Sequence, residues 1–194
     1  MSIHFLQSID TVMYMKDADD RLSKHQINVS NIAGMIALQM NLNNDYLEVI
    51  RRAGLFHDIG KIGIPNEILY KRGKLTQQEW AIMKLHPTTG SQLLSNRLEN
   101  INLLGFAEVI KAIRHHHERW DGQGYPGRLK GTEIPLAARI IAVADSYDAM
   151  TSKRSYRKPL SRDEAIKDIV RCSGTQFDPT IVKCFYKLNL KIIK

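Results

Sequence analysis

Between Phe106 and His117 the apolar positions recur with the period of an α-helix. Phe106, Val109, Ile110, Ile113, His116 and His117 stand at i, i+3, i+4, i+7, i+10 and i+11, which is one face of a helix. A core-facing stripe that ends in two imidazoles limits the folds open to the chain, because the helix must deliver polar side chains to the interior. His115 falls on the side opposite Ile113 and is expected to turn outward. Three consecutive histidines otherwise read as a solvated basic patch. The continuous stripe argues against that for His116 and His117, but not for His115.

Other segments repeat the pattern. Over residues 22–40, His25, Val29, Ile32, Ile36 and Met40 share one stripe, with Ala33 and Ala37 beside it. Asn43-Asn44-Asp45 is a helix start, and Glu48 completes a capping box with Asp45. Leu47, Ile50, Gly54, His57 and Asp58 then share a face, which turns the His-Asp pair toward the core. Lys61 follows about one turn after His57. Thr76-x-x-Glu79 is a second capping box leading to Trp80, Met83 and His86, and Pro87 can begin a new turn. From Leu136 to Met150, Ala138, Ile141, Asp145 and Asp148 line one side of a helix. An acid on such a stripe is costly unless paired or metal-bound. Ser161-x-x-Glu164 and Asp178-Pro179 start two further helices. Residues 118–135 hold four glycines and two prolines and form a loop anchored by Trp120 and Tyr125. No stretch alternates like a strand, so the expected fold class is all-α.

The 194 residues suit a single domain over 1–194, with a helix over 3–16 in an N-terminal segment (1–20) that packs on it. No apolar run approaches the ~20 residues of a membrane span. His4, Asp10 and Lys16 interrupt the N-terminus, so no signal peptide is visible. Cys172 and Cys184 read as reduced thiols, and the expected location is cytoplasmic. The formal charge of +8 points to an anionic partner.

His25, His57, Asp58, His86, His116, His117 and Asp145 are seven candidate metal ligands. Seven are too many for one ion that keeps an open site and the right number for two. Imidazole and carboxylate together suit iron, manganese, nickel or zinc.

His57-Asp58-Ile59-Gly60-Lys61, followed by His116-His117-Glu118-Arg119-Trp120-Asp121-Gly122-Gln123-Gly124-Tyr125-Pro126, resembles the HD-GYP family. That family is a branch of the HD metal-dependent phosphohydrolases. The resemblance extends through Ile64-Pro65, Leu75-Thr76, the 134–140 segment before Asp145, Tyr147 to Ser152, and Gln176-Phe177-Asp178-Pro179. It implies a single HD-type helical bundle with a GYP loop, and a phosphodiesterase that hydrolyses cyclic di-GMP to linear pGpG, with further cleavage to GMP left open. It also implies two divalent ions, iron or manganese, about 3.5–4 Å apart, with a bridging hydroxide as nucleophile. His25, His57, Asp58 and Asp145 would hold one ion. Asp58 would bridge to a second, held by His86, His116 and His117. Lys61 stands at the family's catalytic lysine, with Asp58 beside it. Tyr125, Arg154 and Arg157 match its contacts to the substrate phosphate. Diguanylate cyclase (GGDEF) domains are implied as docking partners; neither membrane nor nucleic acid is.

Two departures matter. Members of the family thought to hold three metals have a glutamate where this chain has Arg21, so two ions are expected. Ser155 replaces the family's usual proline between Arg154 and Tyr156. The family's common N-terminal receiver or sensor domains are not expected. Two alternatives stand beside the cyclic di-GMP reading: hydrolysis of another nucleotide on the same metals, and a receptor or docking module that does not turn over.

Overall fold

The computed structural model describes residues 20–98, 105–152 and 158–188. The expected helix over 3–16, Arg154, Ser155, Arg157 and the side chain of Arg21 lie outside the described residues. The described chain is helical: α1 (Asp20–Gln39), α2 (Asn44–Phe56), a 3-10 turn (Ile59–Gly63), α3 (Asn66–Leu69), α4 (Gln77–Met83), α5 (His86–Leu98), α6 (Phe106–His115), a second 3-10 turn (Gly131–Glu133), α7 (Leu136–Thr151), α8 (Arg162–Arg171) and α9 (Pro179–Lys187). No strand forms among these residues; an isolated bridge joins Ser173 and Phe177.

The apolar stripes close on one another as their spacing requires. α1 packs against α2 and α7, and α6 packs against α2, α5 and α7. Ile32, Ile36, Ile50, Ile113, Ile140 and Ile141 meet in the centre with 2% exposure or less. Each such side chain contributes roughly 1.5–3 kcal/mol by leaving water. α8 and α9 add Ile169, Ile181 and Phe185, and the Phe185 ring sits edge-on to Tyr147 at 5.2 Å.

Helix ends follow their local chemistry, with three differences from expectation. Thr76 and Ser161 both form complete capping boxes, and Asp178 caps α9 through Thr180 N. At α2, however, the cap is Asn43, whose side chain accepts from Tyr46 N at 2.8 Å. The helix therefore starts before Asp45, and Glu48 instead faces Arg51 and Arg52. α4 stops at Met83, and His86 opens α5 instead of extending the earlier helix. α6 ends at His115, with His116 as its C-cap.

Two close approaches bring the site together. A Cβ on Gly54 of α2 would stand 2.9 Å from Ser30 Cα, so glycine lets α1 lie close against α2. Gly60 in the first 3-10 turn is tighter. A Cβ there would overlap the His86 carbonyl oxygen and come within 2.5 Å of Gly90 N. Gly60 thus seats the start of α5 against the end of the His57-Asp58 segment.

Gly60→Ala should therefore force these backbones apart. We expect a loss of at least about 1–3 kcal/mol in denaturant unfolding, the usual cost of overpacking. Gly73→Ala, where a Cβ meets nothing within 4 Å, should stay within about 0.5 kcal/mol of the parent chain.

Candidate metal centre

Five segments converge on one buried cluster. α1 supplies His25, the end of α2 supplies His57 and Asp58, the start of α5 supplies His86, the end of α6 supplies His116 and His117, and α7 supplies Asp145 and Asp148. Neighbouring imidazole rings stand 4.1–5.4 Å apart between centroids. His57, Asp58, His86 and His116 are 2% exposed or less.

Three of these rings are oriented by one device. His57 Nδ1 lies 2.7 Å from Gly54 O, His86 Nδ1 2.8 Å from Met83 O, and His116 Nδ1 2.7 Å from Ile113 O. A carbonyl oxygen can only accept, so each Nδ1 carries a proton and donates it. Each Nε2 is left with a lone pair turned inward. His57 Nε2 is buried without any hydrogen-bond partner. His86 Nε2 and His116 Nε2 face each other at 3.4 Å.

Asp58 lies between two groups of donors. One oxygen, Oδ1, is 3.3 Å from His86 Nε2. The other, Oδ2, is 3.4 Å from His57 Nε2, 3.8 Å from His25 Nε2 and hydrogen-bonded to Lys61 Nζ. Asp145 Oδ1 is 3.2 Å from His25 Nε2 and 4.0 Å from His57 Nε2. His86, His116 and His117 form one set whose donor atoms all lie within 4.8 Å of each other, and His25, His57 and Asp58 form another. Six of the seven residues singled out in the sequence make up these two sets, and Asp58 of one stands 3.3 Å from His86 of the other; the seventh, Asp145, lies beside His25.

The charges suit cations. Burial works against ionisation of Asp58, but the Lys61 ammonium and the His57 ring outweigh it and hold the carboxyl well below the usual range. Burial likewise opposes Asp145, and the hydrogen bond from His25 keeps it ionised. Burial pushes His86 and His116 down and takes His117 to about 4, so all three are neutral, the form that ligates. Burial also opposes charge on His25, but Asp145 and Asp148 on its two sides raise it to about 9. A buried lone pair without a partner, facing lone pairs and two ionised carboxylates form a donor set that fits divalent cations.

Two acids have roles that sequence reading did not assign. Asp148 Oδ2 accepts from His25 Nδ1 at 2.6 Å, and its Oδ1 accepts from Asn28 Nδ2 at 2.8 Å and Ser152 Oγ at 3.1 Å. It holds the His25 ring so that Nε2 points at Asp145. Its place three residues after Asp145 on a core-facing stripe was the available signal. Glu118 is 4% exposed and accepts from Gly127 N at 2.5 Å and Leu129 N at 3.1 Å. It ties the loop back to the residue after His117.

The loop then folds over the centre. Tyr125, which precedes a cis proline, stacks its ring on His117 at 4.9 Å and 27°. Burial raises its hydroxyl, which stays protonated. Trp120 N and Asp121 N bond Gln176 O and Thr175 O, which clasps the loop to the segment before α9. His115 stays out of both donor sets, as its phase requires. It is not solvated, however: its side chain is 16% exposed and lies 3.4 Å from Glu118 Oε1. The loop covers the face that helical phase alone turned to solvent.

The chain belongs to the HD domain family, which matches residues 12–181. Within that family it resembles a cyclic di-GMP phosphodiesterase of Thermotoga maritima, 44% identical over 174 residues, 90% of this chain and 46% of that protein. It is 43% identical over 136 residues to the 3'3'-cGAMP-specific phosphodiesterase 2 of Vibrio cholerae, covering 70% of this chain and 25% of that one. The chain thus spans less than half the length of these relatives. Among solved structures, an HDG"Y"P protein of Bdellovibrio bacteriovorus shares the fold with a TM-score of 0.67 at 19% identity, over 84% of this chain and 51% of that one.

Asp148→Ala should free the His25 ring while leaving the cluster otherwise intact. Affinity for manganese, titrated into metal-free protein, should fall about 10–100-fold. Unchanged affinity would mean that His25 does not bind through Nε2. His115→Ala should keep its full metal content.

Proposed function

We propose that this domain hydrolyses a cyclic dinucleotide, cyclic di-GMP first, to the linear dinucleotide pGpG. The observation that carries the reading is the position of Asp58: a buried carboxylate with one oxygen toward His25 and His57 and the other toward His86. That is the arrangement a carboxylate shared by two ions needs. The similarity to the Thermotoga maritima enzyme over 90% of this chain supports the same substrate.

His25, His57, Asp58 and Asp145 would hold one ion, and Asp58, His86, His116 and His117 the other. Iron and manganese suit this mix of imidazole and carboxylate. Bound there, the ions would lower the pKa of water and neutralise charge on the phosphoryl oxygens. The chain does the rest. Asp148 fixes His25, and the carbonyls of Gly54, Met83 and Ile113 fix three more rings. Lys61, held on Asp58, presents an ammonium to a phosphoryl oxygen or to the leaving ribose oxygen. Tyr125 keeps its proton and can donate it to phosphate from its place on His117. Arg154 and Arg157 would add charge-assisted contacts that orient the phosphate. Position 21, one turn before His25 on α1, carries an arginine, which cannot ligate. We therefore assign two ions, not three. Two free cysteines accord with a reducing cytoplasmic compartment.

A second substrate has its own support, because the 3'3'-cGAMP-specific relative is nearly as similar in sequence. One experiment separates the readings. Protein purified without oxygen and loaded with iron or manganese is assayed by elemental analysis and on cyclic di-GMP, 3'3'-cGAMP and cyclic di-AMP. We expect two ions per chain and fastest cleavage of cyclic di-GMP. Tight binding without cleavage would make the domain a receptor, and a third ion at full occupancy would refute the two-ion assignment.

Two sets of variants extend the test. Asp58→Ala should lose ions from both sets and all turnover; retention of two ions would overturn the bridging role. Arg154→Ala and Arg157→Ala should each raise KM about tenfold or more, the worth of one charge-assisted phosphate contact, with metal content unchanged.

A further inference from the structure

A groove of about 860 Å³ opens beside the metal centre and shares His117 and Tyr125 with it. Its other walls come from α4 and its C-cap, the loop and the segment before α9: Trp80, Lys84, Arg119, Arg128 and Gln176 among them. The volume lies within the range of small-ligand sites. None of the lining residues is acidic, and three carry permanent positive charge. Arg119 is matched by Asp121, with Nη2 to Oδ2 at 2.6 Å. Lys84 and Arg128 have no carboxylate partner among the described residues. Trp80 stands at the rim 46% exposed, a large aromatic face left open to solvent next to unpaired cations.

Arg128 is placed at a backbone cost. Its φ of 53° lies in the left-handed region that a residue with a Cβ seldom adopts. The Glu118 carboxylate holds it there, bonding the backbone N–H on each side, Gly127 N and Leu129 N. A strained residue held by a buried acid that also follows His117 in the chain marks a position built for function.

We propose that this groove is a second subsite for the cyclic dinucleotide, taking the half that the metals do not. Trp80 stacks a purine base, and Lys84 and Arg128 pair with the distal phosphate. The assignment rests on the cyclic-dinucleotide reading above. It follows from the chemistry of such a ligand. With one phosphate at the metals, a second phosphate and a base must lie nearby, and this groove, which His117 also lines, offers an open π-face and two unmatched cations. Base stacking on an aromatic ring and a charge-assisted phosphate contact each typically change binding by about tenfold or more.

The test uses metal-loaded protein and two substrates, cyclic di-GMP and bis(p-nitrophenyl) phosphate, whose single phosphodiester reaches only the metals. In Lys84→Ala and Arg128→Gly the ratio of kcat/KM for cyclic di-GMP over the small diester should fall about tenfold, through KM, with metal content unchanged. Arg128→Gly also relieves the left-handed strain, so its melting temperature should hold or rise while cyclic di-GMP binding weakens. That combination separates binding from folding. The chain has two tryptophans, and Trp120 lies under Arg139. Cyclic di-GMP should therefore quench fluorescence through Trp80, and Trp80→Phe should abolish the quench. Unchanged ratios, or equal losses on both substrates, overturn the subsite while leaving the hydrolase reading intact. Wild-type protein that cleaves the small diester but neither binds nor cleaves any cyclic dinucleotide overturns both.

Discussion

A single buried carboxylate organises the centre. Asp58 is ionised in a place that burial would ordinarily forbid, and it is tolerated because imidazoles and an ammonium surround it. An unpaired charge there would cost several kcal/mol. Everything around it can be read as a consequence. α1 must lie close enough on α2 for His25 to reach it, hence Gly54. The start of α5 must meet the 3-10 turn for His86 to reach it, hence Gly60. The apolar stripes of α1, α2, α6 and α7 supply the burial energy that holds these helices in position. Packing and site are therefore one construction.

The loop after His117 is bound into the same construction by Glu118. Its two oxygens fix a turn of the loop, its backbone continues from a histidine of the centre, and His115 lies against it. A shift in the loop would be felt directly at His117, on which Tyr125 also stacks. The groove outside and the cluster inside share this wall.

Much of this was legible in sequence. The helical periods of α1, α2, α6 and α7 predicted which of His25, His57, His116 and His117 face inward, and the HD and GYP motifs named the family. Phase failed where helices end. Asn43 instead of Asp45 caps α2, because three neighbouring residues can all cap and only the backbone chooses. His86 falls on the far side of the expected break at Pro87, opening the new helix and not closing the old one, because the proline suits the first turn. Asp148 was visible as an acid on a buried stripe, but its partner is 123 residues away in the chain, and periodicity does not report such pairings. Glu118 acts through loop conformation, which leaves little trace in composition.

The three carbonyls that receive Nδ1 protons have a further meaning. Gly54, Met83 and Ile113 each lie in the last turn of a helix, where carbonyl oxygens lack intrahelical partners. The rings of His57, His86 and His116 satisfy them, so each imidazole is a C-terminal cap for the helix that leads to it. Terminating the helix and aiming the ring are one act. Removing one of these histidines therefore uncaps a helix end as well as taking a donor from the cluster.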